Sequence, residues 1–342
     1  MKSLEWLGGK LRFIDQTKLP AEEIYIVTDD HRIVGDAIHK LSIRGAPALG
    51  VAAAYGAALA AFENSNENSA SFKTNLTSAI NELKSTRPTA VNLSWSLERI
   101  NKVLDTFIIS GVELTVAKII DEAINIHDED IAMCNAIGIN GAEIIPQDAT
   151  ILTHCNTGAL ATGGDGTAQN VIVTAHTSGK NIKVYAGETR PLLQGARLTV
   201  WELMKLGIDV TLITDSTAAF LMQQKKIDLV ITGADRITMQ GFVANKVGTY
   251  NLAVNAKMHG IPFYIAAPTS TIDTKIEFGD EIIIEERSEN EITEYFGKRT
   301  APVGVKVYSP AFDITPPDLI TGIITDRKIF LPPYSHSLSE LK

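Results

Sequence analysis

Thr150-Ile151-Leu152-Thr153-His154-Cys155-Asn156-Thr157-Gly158 is the stretch on which the fold of this 342-residue chain turns. A short β-branched, apolar run ends abruptly in a polar turn containing glycine, which is the form of a buried strand whose carboxyl end opens onto a loop. Runs of the same kind return at 182–186, 210–214, 229–232 and 262–266, and between them 191–206, 216–224 and 247–259 carry apolar residues at helical spacing. Short apolar strands alternating with amphipathic helices predict a largely parallel sheet covered by helices, a Rossmann-like α/β domain.

Upstream of about residue 145 the pattern is different. Residues 1–28 read as short strands broken by Gly8-Gly9 and Pro20, with Tyr25-Ile26-Val27 as the last β-branched run. From Asp30 the period lengthens: Ile33, Ala37, Ile38 and Leu41 recur at helical spacing until Arg44-Gly45-Ala46-Pro47 interrupts them. Helices then dominate. The most apolar of them, 46–62, is rich in Ala and Gly and short for a membrane span, so it reads as a buried core helix. The polar stretch 64–71 reads as a surface connection. The expected organisation is a smaller, mainly helical N-terminal domain that begins with short β-strands, 1–145, followed by the Rossmann-like domain, 146–342.

Hydrophobic residues make up 45% of the chain and charged residues 21%, a globular composition able to bury sizeable cores. The formal charge is -9 with no basic stripe, which argues against a grip on nucleic acid. Only Cys134 and Cys155 occur, outside any paired ligand pattern, so neither a disulfide framework nor a zinc site is expected and a reducing compartment fits. The N-terminus has no apolar run of the signal-peptide kind, and the expected location is cytoplasmic, without a membrane.

In an open parallel sheet, ligands sit beyond the carboxyl ends of the strands. Those ends read His154-Cys155-Asn156-Thr157-Gly158, Gly187-Glu188-Thr189-Arg190-Pro191, Thr214-Asp215-Ser216, Gly233-Ala234-Asp235-Arg236 and Ala267-Pro268-Thr269-Ser270. A thiol, carboxylates, arginines and hydroxyls gather on one edge. Cys155 precedes a turn whose N–H groups can favour a thiolate or hold an anion. Asp215-Ser216 reads as a cap for the helix that follows, and His154 as a structural residue on the opposite side of the strand from Cys155. Asn245-Lys246-Val247-Gly248-Thr249 places an ammonium before a helix start, where an anion is favoured, and Arg44-Gly45-Ala46-Pro47 does the same with a guanidinium. The loop Gly163-Gly164-Asp165-Gly166-Thr167 offers N–H groups to a phosphate but spells neither nucleotide-binding pattern. A nucleotide cofactor is therefore not expected, and the seven histidines show no metal-binding spacing, so a catalytic metal is not expected either.

Five of these segments, in order, carry a resemblance: Ile43-Arg44-Gly45-Ala46-Pro47, Thr153 to Gly158, Ala186 to Pro191, Gly233 to Arg236 and Asn245 to Thr249. Together they resemble methylthioribose-1-phosphate isomerases, and Leu4-Glu5-Trp6, Asp15 to Pro20 and Pro310 to Pro316 agree at the ends. That family lies in a superfamily with ribose-1,5-bisphosphate isomerases, deoxyribose-phosphate relatives and regulatory subunits of an initiation-factor exchange complex. The regulatory relatives generally lack the catalytic pair that Cys155 and Asp235 form here.

What the resemblance implies is an aldose–ketose isomerase of methionine salvage, converting 5-methylthioribose 1-phosphate to its ketose, with Cys155 and Asp235 as catalytic residues. It implies substrate contacts at Arg44, Gly45, Ala46, Arg87, Gln194, Asn245 and Lys246, no cofactor, and a homodimer. The alternatives left open are 5-deoxyribose 1-phosphate or ribose 1,5-bisphosphate as substrate, and a non-catalytic regulatory subunit.

Overall fold

Three antiparallel strands open the chain, β1 (Leu4–Trp6), β2 (Leu11–Ile14) and β3 (Tyr25–Thr28). The computed structural model describes residues 2–341. Helices α1 (His31–His39), α2 (Ala46–Glu63), α3 (Ser69–Thr86), α4 (Val91–Phe107) and the 31-residue α5 (Val112–Ala142) follow. Local chemistry sets several of their starts. Asp30 accepts the Arg32 N–H at the head of α1, and Asn68 accepts those of Ala70 and Ser71 at the head of α3.

Helix α2 forms the centre of this part. Every residue from Ala48 to Ala61 is buried, and the small side chains let neighbouring helices come close: a Cβ on Gly50 would lie 3.0 Å from the Asn92 carbonyl oxygen of α4. Its core partners are Leu76, Ile80 and Leu83 of α3, Leu93, Leu97 and Ile100 of α4, and Ile119, Ala123 and Ile126 of α5. Trp6 of β1 stacks on Tyr55 with ring centroids 5.1 Å apart, fastening the small sheet to the helices. The apolar length of α2 is therefore spent on protein packing.

The remaining strands are β4 (Thr150–Thr153), β5 (Lys183–Gly187), β6 (Asp209–Ile213), β7 (Leu229–Thr232), β8 (Arg236–Thr238), β9 (Val243–Lys246) and β10 (Phe263–Ala266). After them come β11 (Ile272–Asp273), β12 (Glu294–Tyr295), β13 (Lys298–Arg299), β14 (Phe312–Thr315), β15 (Gly322–Ile324) and β16 (Ile329–Phe330). Helices α6 (Ala168–Thr177), α7 (Val200–Lys205), α8 (Thr217–Gln223) and α9 (Thr249–His259) connect the earlier ones. The main sheet has the order β16-β15-β10-β7-β4-β5-β6, parallel except for β16. Its core joins Leu152, Val230 and Ile265 to Leu221 of α8 and Leu252, Ala253 and Ala256 of α9.

The five apolar runs read from sequence are all strands of this sheet, displaced by no more than one residue. The span 191–206 is not one helix. Thr189 and Leu193 have φ of 66° and 59°, outside the right-handed helical region, and regular structure resumes as a π-helical segment, Gly195–Thr199, ahead of α7. The second sheet, β11-β8-β9-β14, is not visible as a pattern in the sequence, because its strands are two to four residues long and none is an uninterrupted apolar run.

By internal contacts the chain forms two compact units. One holds the residues up to Ala136 together with Thr157–Asn170, the other Ile137–Asn156 with everything from Val171 onward. The contacts thus do not divide at a single point near residue 145. The glycine loop after Cys155 packs on α5: a Cβ on Gly163 would lie 2.6 Å from His127 Cδ2, and one on Gly164 3.0 Å from Cys134 Cβ. Ala53→Leu, an enlargement at the centre of α2, is expected to cost about 1–3 kcal/mol of stability through overpacking. A urea transition at the wild-type midpoint would contradict this packing.

Candidate active site

The strand order reverses at β4. From there the chain moves out to β5 and β6, then returns to lay β7 against the other side of β4, with Ile151 opposite Leu229 and Leu152 opposite Val230. At such a reversal an open α/β sheet binds its ligands, in the crevice beyond the carboxyl ends of the two strands. Cys155 follows β4 by two residues and Asp235 follows β7 by three. Asp235 is fixed by its own N–H, which donates to the Ala244 carbonyl at 2.9 Å and ties it to β9.

Lys246 ends β9 opposite Phe312. Its ammonium donates to the Ala311 carbonyl at 2.8 Å and lies 4.7 Å from the centroid of the Phe312 ring. Burial pushes the Lys246 ammonium below its usual range, while Cys155 and Asp235 favour its charge. The three groups are therefore within electrostatic reach of one another. Asn245, next in line, is buried and donates to the Thr249 hydroxyl at 2.9 Å.

Cys155 is held in an unusual backbone conformation, φ 63°, by bonds on both sides of its Cα. Its N–H donates to Thr189 Oγ1 at 2.8 Å, and its carbonyl accepts from Thr199 Oγ1 at 2.6 Å. The Asn156 amide donates to the Glu202 carboxylate at 2.7 Å and to Thr199 Oγ1 at 3.2 Å. The first N–H of the turn is consequently committed to Thr189 rather than open to an anion. His154 is buried, with Nε2 3.0 Å from the Val247 carbonyl, and burial lowers its pKa, so it serves the strand rather than the thiol.

Two anion-site readings change with the structure. The Asp313 carboxylate already occupies the head of α9, accepting the N–H groups of Gly248 at 2.6 Å and Tyr250 at 3.1 Å. The loop 163–166 is clamped by α5: Asp130 accepts the Gly163 N–H at 2.6 Å, and His127 Nε2 lies 2.9 Å from the Gly163 carbonyl. Its glycines permit this close packing. Asp215 is not the cap of α8, since its two oxygens accept the N–H groups of Thr189 and Arg190 at 2.8 and 2.7 Å.

In the second unit Gln194, also buried, stands at the head of the π-helical segment. In the first unit Gly45, φ 98°, is the N-cap of α2, with no side-chain cap. A Cβ there would lie 2.4 Å from the Ala161 carbonyl oxygen, so only glycine fits. Arg44 and Ala46 flank it, and Arg87 is the C-cap of α3. Among the described residues no three His, Cys, Asp or Glu side chains are grouped to hold a metal.

A 338-residue alignment covering 99% of the chain gives 55% identity to the methylthioribose-1-phosphate isomerase of Heliobacterium modesticaldum, 98% of which it spans. This chain belongs to the methylthioribose-1-phosphate isomerase family. Residues 42–332 match the broader initiation factor 2 subunit family. The crystal structure of 5-methylthioribose 1-phosphate isomerase from Pyrococcus horikoshii superposes with a TM-score of 0.93 at 43% identity, over 99% of this chain and 95% of that one. A structure from A. fulgidus described as translation initiation factor eIF-2B, subunit delta, gives 0.88 at 45% identity, over 100% and 99%.

Members of the methylthioribose-1-phosphate isomerase family are aldose–ketose isomerases, and a thiol, a carboxylate and an ammonium around one crevice suit proton movement on a sugar phosphate. Thr189, Thr199 and Glu202 escaped the reading of the sequence as partners of the Cys155 turn. Thr189 lies within the Gly-Glu-Thr-Arg-Pro segment, so its presence at a strand end was the available signal, whereas Glu202 has none in its helical surroundings. The clamp on the glycine loop has a pH signature. Burial pushes Asp130 up to about 6 from its ordinary 3.8, so on acidification the folded protein takes up this proton before the unfolded chain does. The resulting stabilisation is complete below the unfolded value and lost as pH rises through the folded one. Relative to Asp130→Asn, the wild type is expected to gain stability as pH falls from about 7 towards 4. Urea midpoints that keep a constant difference over that range would contradict a buried carboxyl.

Proposed function

We propose that this protein converts 5-methylthioribose 1-phosphate to 5-methylthioribulose 1-phosphate in methionine salvage, with Asp235 and Cys155 as the reacting pair. The observation that carries the reading is the position of these two residues just beyond the adjacent strands β4 and β7, with Lys246 within electrostatic reach of both. The likeness to isomerases over nearly the whole chain supports it.

The substrate explains the need for two groups. Its anomeric oxygen carries the phosphate, so the ring cannot open to a free aldehyde unaided. Asp235 supplies a proton to the ring oxygen, and the C1–O bond of the ring breaks. Cys155, as thiolate, takes the hydrogen of carbon 2 as a proton, leaving an enol phosphate, and returns that proton to carbon 1 while the carbon-2 hydroxyl gives its proton to the Asp235 carboxylate; carbon 2 becomes the ketone and both groups regain their starting forms. Lys246 favours the thiolate and carboxylate forms that the cycle passes through. Arg44, Gly45, Ala46, Arg87, Gln194, Asn245 and Lys246 are the proposed substrate contacts, carried over from the family resemblance. A cytoplasmic homodimer completes the reading, supported by the same resemblance and by cysteines that form no disulfide.

Turnover on 5-methylthioribose 1-phosphate, 5-deoxyribose 1-phosphate and ribose 1,5-bisphosphate, measured side by side, tests the assignment. The first is expected to be the best substrate, and binding of a partner protein without turnover on any of them would favour the regulatory alternative. Cys155→Ala and Asp235→Asn are each expected to lower kcat by about 100-fold or more. Near-normal turnover in either variant removes its assigned role. Lys246→Ala is expected to weaken substrate binding by about tenfold or more, as for loss of a charge-assisted contact. Unchanged affinity would move the phosphate elsewhere.

A further inference from the structure

Three neighbouring parallel strands end in a chain of hydrogen bonds that leads to Cys155. At the end of β6, Asp215 accepts the N–H of Thr189 at 2.8 Å and that of Arg190 at 2.7 Å. At the end of β5, Thr189 accepts the Cys155 N–H at 2.8 Å through its hydroxyl, whose own proton is directed to the Gly187 carbonyl at 3.2 Å. At the end of β4, Cys155 stands in the left-handed region. The registers bring the strands alongside for this, with Thr153 opposite Ala186 and Gly187 opposite Ile213.

Two features separate this from an ordinary loop contact. Thr189 is itself at φ 66°, a conformation that β-branched residues avoid, and it is completely buried. Without the two backbone bonds to Asp215, nothing in its own preferences would keep it there. The hydroxyl is also used in both directions, accepting from Cys155 and donating to Gly187, so neither valine nor alanine reproduces it.

We infer that Thr189 is a positioning residue for Cys155: its hydroxyl, fixed through Asp215, holds the strained backbone that aims the thiol into the crevice. This rests on the catalytic reading of Cys155, but its geometric content does not require the isomerase reaction. Lys246 is within electrostatic reach of Cys155, so displacing the thiol from that ammonium makes its thiolate harder to form.

The test compares Thr189→Val, which keeps the branched shape and loses the hydroxyl, with Thr189→Ser, which keeps the hydroxyl. The readout independent of turnover is the pH profile of Cys155 alkylation by iodoacetamide, followed by mass spectrometry at the Cys155 peptide; Cys134 is buried and serves as the internal comparison. The valine variant is expected to shift the alkylation midpoint upward by about half a pH unit or more, and the serine variant to restore it. In the isomerase assay the valine variant is expected to lose about tenfold or more in kcat with KM changed by less than about twofold, the serine variant again recovering. A wild-type alkylation midpoint in folded Thr189→Val, or a serine variant as impaired as the valine, overturns the inference. If the wild type isomerises no sugar phosphate, the alkylation profiles still decide the positioning role, while the catalytic assignment alone falls.

Discussion

The reversal of strand order between β4 and β7 is the constraint on which the proposed chemistry depends. Parallel neighbours normally send their crossovers over the sheet in sequence, and only where the order turns back do two adjacent strands release loops in opposite directions. Here the two released loops carry Cys155 and Asp235, which are 80 positions apart in sequence. The pairing of Leu152 with Val230 in the sheet core brings them to one edge. Change the strand order and every side chain could keep its identity while the pair was lost.

Holding the thiol at that edge requires a backbone that cysteine does not choose for itself. The positive φ of Cys155 is maintained by hydroxyls of two buried threonines, one on each side of its Cα, and by the Asn156–Glu202 contact one residue further on. The π-helical segment belongs to the same arrangement. A Cβ on Gly195 would lie 1.8 Å from the Gly187 carbonyl oxygen, so the segment that supplies Thr199 can approach β5 only through a glycine. Local strain at the thiol is thus supported by a densely bonded, buried scaffold around it.

Much of this was legible beforehand, and for physical reasons. Buried parallel strands are short uninterrupted apolar runs, and the five runs from Thr150 to Ala266 stand out because polar turns punctuate them. Their carboxyl ends then gather Cys155 and Asp235 with other polar groups on one edge, and the family resemblance singles out these two as the pair. What composition could not convey was the use of individual polar groups. Asp215 has the sequence position of a helix cap, yet it holds the Thr189 loop; the head of α9 reads as an anion site, yet Asp313 from a strand more than 50 residues later fills it. Glycines 163, 164 and 166 have the look of a phosphate cradle; instead the first two let the loop lie against α5, and the third lets it approach the Thr157 carbonyl. Each of these depends on a partner remote in sequence, which periodicity does not register.

The central claim is that the sugar is transformed between Cys155 and Asp235 above the carboxyl ends of β4 and β7. A crystal structure of the Cys155→Ala variant with 5-methylthioribose 1-phosphate bound tests it most directly. Density for the sugar is expected in that crevice, with its ring oxygen in hydrogen-bond reach of Asp235 and its carbon 2 facing position 155. Density for the sugar phosphate at another edge of the sheet, with Asp235 and position 155 both out of reach, would contradict it.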